Sequence, residues 1–193
     1  MKTSGQLDKE DGPNIHKMMS PQERKLRSIL LDKILHLKGP VLLSEIMSQA
    51  GDADIDVSPT LKSLKAKGLI ALEDNGRVTG LYPFSAVPTR HKVLLKDGRS
   101  AFAMCAIDSL GVVYELEEDA VIFSSCSQCN TGITIEINNG SITLFKPATS
   151  QALHVALGDY KDWANTCLLK QHEFLLYGET HGRMAKKHIS QSK

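Results

Sequence analysis

Residues Arg99–Leu110 read Arg-Ser-Ala-Phe-Ala-Met-Cys-Ala-Ile-Asp-Ser-Leu. This stretch contains a predicted strand-to-helix transition, and the rest of the chain is interpreted from it. Alternation before Cys105 predicts a strand, and the residues after it predict a short helix. Residues three apart share a helical face, so the Cys105 thiol and the Asp108 carboxyl are predicted to point into one site. That pair is either reactive, or a small buried hydrophobe beside an exposed carboxyl. These residues alone favour the second interpretation.

Three helices and a β-hairpin are predicted before this stretch. Ser20–Glu23 has the pattern of a capping box with proline at the first helical position, and Lys38-Gly39-Pro40 ends that helix. Asp74-Asn75-Gly76 is a hairpin turn signal. The order of elements is that of a winged helix–turn–helix. The remaining predicted elements are a helix over 44–50 that Ser44 caps, a helix over 58–67, and strands over 69–73 and 77–81.

The lysines of the third helix, Lys62, Lys65 and Lys67, could meet phosphates. Three aspartates at positions 52, 54 and 56 would repel DNA, so a packing role is favoured over DNA reading. The 23 basic and 22 acidic side chains are spread evenly along the chain and leave a net charge of +1. We therefore expect no nucleic-acid partner.

The second half is rich in strand patterns, with Tyr82–Ser85 and Pro88-Thr89 as the predicted linker into it. The predicted fold class is α+β, in which a winged-helix-like domain (20–81) follows a mobile tail (1–19) and precedes a mainly antiparallel α+β domain (82–193). Asp97-Gly98 and Asn139-Gly140 are predicted tight turns. The predicted strands cover 91–95, 99–104, 120–124, 133–137, 141–145 and 174–177. Residues 152–157 are a further apolar segment, and a last helix covers 180–188.

The composition is that of a globular protein, with 41% hydrophobic and 23% charged residues. No apolar run approaches the roughly 20 residues that span a bilayer, and the first 13 residues contain no apolar signal region. We therefore expect a cytoplasmic protein without a membrane partner. Thiols stay reduced in the cytosol, so the four cysteines are better suited to metal or redox chemistry than to disulfides.

Cys126-Ser-Gln-Cys129 is a C-x-x-C pair, which is half of a common zinc site. No second Cys or His pair follows at the usual spacing. A zinc half-site, a redox pair, a thiol relay and a strand-end turn with two small cysteines all stay open. The chain also lacks a glycine-rich phosphate loop, a G-x-S-x-G elbow and an H-E-x-x-H motif, which removes the commoner nucleotide, serine-hydrolase and zincin interpretations.

Taken in order, these features resemble the organomercurial (alkylmercury) lyase family over residues 20–185. Cys105-Ala-Ile-Asp-Ser-Leu110 resembles the family motif C-A-x-D-[TS]-L, and Asn165-Thr-Cys167 followed by Phe174-Leu175 resembles the region of its second active-site cysteine. The further matching segments are Tyr82-Pro-Phe-Ser85 with Pro88-Thr89, and Lys146-Pro-Ala-Thr149.

The resemblance implies roles for three residues. Cys105 and Cys167 would be the thiolates that bind mercury and activate the carbon–mercury bond. Asp108 would take a thiol proton, deliver it to the leaving carbon and complete the mercury site. Soft thiolates suit mercury because it is a soft cation, and protonation of the leaving carbon is general acid catalysis. The resemblance thereby reverses the packing interpretation of Cys105 and Asp108.

The implied function is protonolysis of organomercurials to Hg(II) and a hydrocarbon, a detoxification step in mercury resistance. No cofactor is implied, since Hg(II) is the bound product and a thiol releases it. The implied partners are the organomercurial, and low-molecular-weight thiols or a mercuric reductase as Hg(II) acceptor. A non-catalytic binder of soft metals on the same fold is the alternative, and a metal-responsive DNA-binding regulator is a more distant one.

Overall fold

The computed structural model describes residues 15–153, Ala164 and residues 173–176. Several predictions fall wholly or partly outside these ranges: Cys167, the last helix (180–188), the tail up to residue 14, and residues 154–157 of the apolar segment 152–157. Within the described residues, no helix is both long and apolar enough to cross a membrane.

Five helices are described, and they are concentrated in the N-terminal part. Ser20 begins the second helix with the predicted capping box: its hydroxyl accepts a hydrogen bond from the Glu23 amide, and its own amide donates to the Glu23 carboxylate. Lys38 ends that helix in a left-handed conformation. The helices are α1 (Ile15–Met18), α2 (Pro21–Leu37), α3 (Met47–Asp52), α4 (Val57–Ala66) and α5 (Ala106–Leu116), with a 3-10 turn at Leu43–Glu45.

The strands agree with the alternation in the sequence to within two residues for most elements. They are β1 (Val41–Leu42), β2 (Ile70–Leu72), β3 (Arg77–Leu81), β4 (Phe84–Ser85), β5 (Lys92–Leu95), β6 (Ser100–Ala103), β7 (Ala120–Ser125), β8 (Gly132–Asn138), β9 (Ser141–Lys146), β10 (Ser150–Leu153) and β11 (Glu173–Leu176).

Nine of the described strands form one antiparallel sheet. Its order is β1-β3-β4-β6-β5-β7-β8-β9, and β2 pairs with β3 beside this path. β10 and β11 form a separate antiparallel pair. The molecule is therefore an α+β protein with a mainly antiparallel sheet, as predicted. Helices α2, α3 and α4 and the β2–β3 hairpin occur in the order predicted from sequence, while the assignment of this part to the winged-helix fold stays a prediction.

Two hydrophobic cores lie along this sheet. The first packs α2, α3 and α4 against the β2–β3 hairpin and is centred on residues such as Leu26, Leu30 and Leu64. The second packs α5 against strands β4 to β8 and is centred on residues such as Val93, Val112 and Ile135. A third and smaller cluster contains Cys105.

The segment Tyr82–Ser85, interpreted from sequence as a linker, contains a strand. Phe84 and Ser85 form β4, which pairs with β3 on one side and with β6 on the other. Both residues are buried. The segment therefore joins the two parts of the chain through continuous backbone pairing. Its two-residue strand is too short for alternation to reveal.

The second predicted helix also differs at its start. The sequence predicts that Ser44 caps it, but Ser44 lies within the 3-10 turn and Ile46 precedes the first residue of α3. The Leu42 amide donates instead to the Glu45 carboxylate. A short polar run of this kind suits either a cap or a tight turn, because Ser and Glu satisfy backbone donors in both.

An ion pair between α2 and the end of α4 involves one of the three lysines of the third predicted helix. Lys67 Nζ lies 2.6 Å from Glu23 Oε2, and Glu23 is buried. Burial raises the pKa of Glu23, but hydrogen bonds from Lys67, Ser63 and Ser20 outweigh it and lower that pKa to about 2. This ion pair within the protein supports a packing role for Lys67 over a role in reading DNA.

His91 makes the stability of the fold depend on pH. It is buried, and its Nδ1 lies 2.9 Å from Ser124 Oγ. Burial lowers the pKa of His91 to about 4, and the charge of Arg90 acts in the same direction. Between pH 6.5 and 4 the unfolded chain therefore binds a proton at this position that the folded chain excludes, so stability falls as the pH falls.

Because of His91, we expect the free energy of unfolding of the wild type to fall by about 2 kcal/mol as the pH is lowered from 7 to 5. Urea unfolding at both pH values measures this, and His91→Gln should remove that part of the loss. His36→Gln, a change at an exposed histidine of α2, is the matched control and should behave as wild type. An equal loss in His91→Gln and wild type would contradict the assignment. A further loss below pH 4.5 is expected from Glu23, because its carboxylate contributes stability only while ionised.

Candidate active site

The site is built at the junction of β6 and α5. Ala101 and Ala103 of β6 are buried, and Met104 leaves the strand with its amide donating to the Pro83 carbonyl at 3.1 Å. Cys105 follows with extended backbone angles (φ −145°, ψ −178°) and is the N-cap residue of α5. The strand therefore delivers Cys105 to the first turn of a helix.

The side chains of Cys105 and Asp108 meet, as the spacing of three residues predicts. Cys105 Sγ donates to Asp108 Oδ2 at 3.1 Å, and the Asp108 amide donates back to Cys105 Sγ at 3.4 Å. Cys105 is 0% exposed and Asp108 is 3% exposed. The expectation of an exposed Asp108 under the packing interpretation is therefore wrong, because the carboxylate is held inward by the thiol.

The electrostatic setting favours negative charge on this pair. The amides of the first helical turn are unsatisfied within the helix and form the positive end of its dipole. Cys105 lies at that end of α5, and Asp108 lies in its first turn. A thiolate nucleophile or metal ligand is commonly found in such surroundings. The arrangement can exchange a proton between sulfur and carboxylate without exposing either to bulk water.

Cys105 also belongs to a small hydrophobic cluster. Its cluster comprises Ala71, Met104, Cys105 and Ala164, with half-buried Tyr82 and Ile107 packed against it. The sequence alone indicates no role for either Tyr82 or Ile107. Tyr82 lies in the segment predicted as a linker, and Ile107 occupies the variable position of the motif, so neither residue carries a chemical signal of its own.

Ala164 connects the cluster to the C-terminal region. It is fully buried, and its amide donates to the Gly68 carbonyl at 2.8 Å. Cys167, the second predicted thiolate, comes three residues later and lies outside the described residues. The structure thus brings together Cys105 and Asp108 of the three predicted site residues.

Helix α5 is tied to the N-terminal part by a buried arginine. Arg27 of α2 lies 2.7 Å from Glu115 Oε1 of α5, and it donates to the Tyr82 carbonyl at 2.9 Å. Arg27 is 4% exposed. A buried cation compensated by a carboxylate and a carbonyl fixes the relative positions of the elements that it joins. This contact was not predicted, because its partners are 88 and 55 residues away in sequence.

The C-x-x-C pair lies in a turn between β7 and β8. Cys126 is buried in the second core, whereas Cys129 is exposed and its Sγ lies 3.2 Å from Thr131 Oγ1. Across the part of the chain that the structure describes, no group of three or more His, Cys, Asp and Glu side chains is arranged to hold a metal ion. A zinc half-site at this turn therefore finds no further ligands among those residues.

Comparison with known proteins points to one family. The family model for alkylmercury lyase (MerB) matches residues 84–176, a range that contains Cys105, Asp108 and Cys167. An alkylmercury lyase of Staphylococcus epidermidis (strain ATCC 12228 / FDA PCI 1200) is 26% identical over 118 residues, which are 61% of this chain and 52% of that protein. The aligned region therefore spans about half the length of that relative.

The fold is also similar to that of a solved structure. The crystal structure of the mercury-bound form of MerB2 superposes with a TM-score of 0.70 and 25% sequence identity. The superposition covers 91% of this chain and 83% of that chain. Likeness in sequence and likeness in fold therefore point to the same family.

Proposed function

Because residues 84–176 place this chain in the alkylmercury lyase family, we propose that it cleaves the carbon–mercury bond of organomercurials by protonolysis. The products are Hg(II) and a hydrocarbon. The observation that carries this proposal is the buried hydrogen bond from the Cys105 thiol to the Asp108 carboxylate. This contact joins a soft metal ligand to a proton carrier inside an apolar cluster.

Cys105 is the first mercury ligand in this proposal. Thiolate sulfur is a soft donor and suits a soft metal better than oxygen or nitrogen donors do. Asp108 accepts the thiol proton as sulfur bonds to mercury and displaces the weaker ligand that the organomercurial brings. The 3.1 Å contact supports this transfer, because no rearrangement is needed to reach hydrogen-bonding distance.

Cys167 is the second ligand in this proposal. Ala164 packs in the same cluster as Cys105, and three residues of chain span at most about 11 Å. Cys167 is therefore tethered within that reach of Ala164, which supports its participation. Two thiolates increase the electron density on mercury and weaken its bond to carbon.

The cleavage step balances without a change of oxidation state. The electron pair of the carbon–mercury bond goes to carbon, which takes the proton held by Asp108 and leaves as the hydrocarbon. Mercury remains Hg(II) and is held by the two sulfurs, while the second thiol proton is lost to solvent. The step therefore requires no electron transfer to or from a redox partner.

Product release requires another thiol. Hg(II) held by two thiolates exchanges onto an incoming thiol by ligand substitution, so a low-molecular-weight thiol or the thiols of a mercuric reductase would accept it. The organomercurial is the substrate, and the cellular outcome would be detoxification in the cytoplasm.

The test is release of benzene from phenylmercury by the purified chain in the presence of excess thiol. We expect many equivalents of benzene per chain, measured by gas chromatography against a control without protein. Benzene at the level of that control would contradict the proposal. Stoichiometric mercury binding without benzene would instead identify a soft-metal binding protein on the same fold.

A further inference from the structure

Two half-buried side chains lie against the cluster that contains Cys105. Tyr82 and Ile107 both pack against this cluster. Each therefore keeps some accessible surface at the edge of a cluster whose sulfur is itself fully buried. We propose that Tyr82 and Ile107 form an apolar wall that receives the organic group of the organomercurial and sets the preference among such groups.

Tyr82 is held rigidly by its backbone. Its amide donates to the Leu69 carbonyl at 2.9 Å, and its carbonyl accepts from Arg27 at 2.9 Å. The carbonyl of the next residue, Pro83, accepts from the Met104 amide. The Tyr82 backbone is thus fixed between the β2–β3 hairpin and the residue that precedes Cys105. A tyrosine side chain has only two torsions to order, so it binds an apolar group at a low cost in conformational entropy.

Ile107 is fixed by its place in the first turn of α5, between Cys105 and Asp108. A group attached to mercury on Cys105 has to lie close to this turn if Asp108 is to protonate its carbon. The proton carrier and the wall would then contact the same organic group. Burial of apolar area against Tyr82 and Ile107 favours a phenyl group over a methyl group, since phenyl offers the larger apolar surface.

This inference rests on the proposed function, and its test uses the ratio of kcat/KM for benzene release from phenylmercury to that for methane release from methylmercury. Tyr82→Ala and Ile107→Ala are each expected to lower this ratio about 10-fold, the scale by which a hydrophobic pocket discriminates among small apolar groups. Tyr82→Phe should keep the ratio of the wild type, because it retains the ring.

Matched controls are available elsewhere on the chain. Tyr114 and Ile142 are 42% and 48% exposed, so Tyr114→Ala and Ile142→Ala should leave the ratio unchanged. An unchanged ratio in both wall variants, or an equal fall in the controls, would overturn the inference. A fall in Tyr82→Phe as large as that in Tyr82→Ala would also overturn it, since the hydroxyl and not the apolar ring would then decide the preference.

A second measurement separates failure of this inference from failure of the proposed function. If the wild type releases neither hydrocarbon, the proposed function is wrong. Native mass spectrometry then gives the ratio of phenylmercury to methylmercury adducts formed from an equimolar mixture. A lower ratio in Tyr82→Ala and Ile107→Ala supports the wall, and an unchanged ratio contradicts it.

Discussion

Cys105→Ala is expected to reduce benzene release from phenylmercury to the level of a control without protein. The substitution removes the sulfur that binds mercury and the proton that passes to Asp108. A small side chain at the start of α5 leaves the packing nearly unchanged, because Cys105 behaves sterically as a small hydrophobe. Loss of activity with an unchanged urea midpoint would therefore report chemistry and not unfolding.

Cys129→Ala is the matched control for this variant. Cys129 is exposed and lies in the turn between β7 and β8, so its removal should leave the rate of benzene release at the wild-type value. Wild-type activity in Cys105→Ala, or equal losses in the two cysteine variants, would remove Cys105 from the reaction.

Asp108→Asn is expected to lower kcat for benzene release by about 10²- to 10⁴-fold, the usual contribution of a positioned general acid or base. The amide has nearly the same shape as the carboxyl but cannot take the thiol proton and deliver it to carbon. Mercury binding should persist, since both cysteines remain. The expected result is therefore a protein that retains phenylmercury but cleaves it slowly, measured by single-turnover benzene release.

Asp97→Asn provides the control for loss of a carboxylate. Asp97 is exposed in the turn between β5 and β6, where it pairs with Arg99, and exposed pairs of this kind contribute little to stability. Its replacement should leave kcat unchanged. If Asp108→Asn cleaved phenylmercury at the wild-type rate, the proton would have to come from another group.

The parts of the fold that depend on local sequence were predictable. The capping box at Ser20–Glu23 is observed, because its signal lies within four consecutive residues. The turn at Asn139-Gly140 is also observed, with both residues at positive φ, a conformation that Asn and Gly adopt readily. The meeting of Cys105 and Asp108 belongs to the same class, since helical geometry alone brings residues three apart together.

The parts that depend on distant contacts were not predictable. β4 lies between β3 and β6 in the sheet, yet its two residues look like a loop beside Pro83. The Arg27–Glu115 pair joins two helices through residues that resemble ordinary surface charges in sequence. Tyr82 comes to pack against the cluster that contains Cys105 only once β6, α5 and the hairpin are assembled. Side-chain periodicity contains no information on such pairings.

The central claim is that the thiol–carboxylate pair cleaves the carbon–mercury bond and leaves Hg(II) on the protein. The most direct measurement adds one equivalent of phenylmercury to the wild-type chain without free thiol, then records benzene by gas chromatography and the protein by native mass spectrometry. The account predicts one benzene per chain and a protein that carries bare mercury in place of two protons. A persistent phenylmercury adduct with no benzene would contradict it.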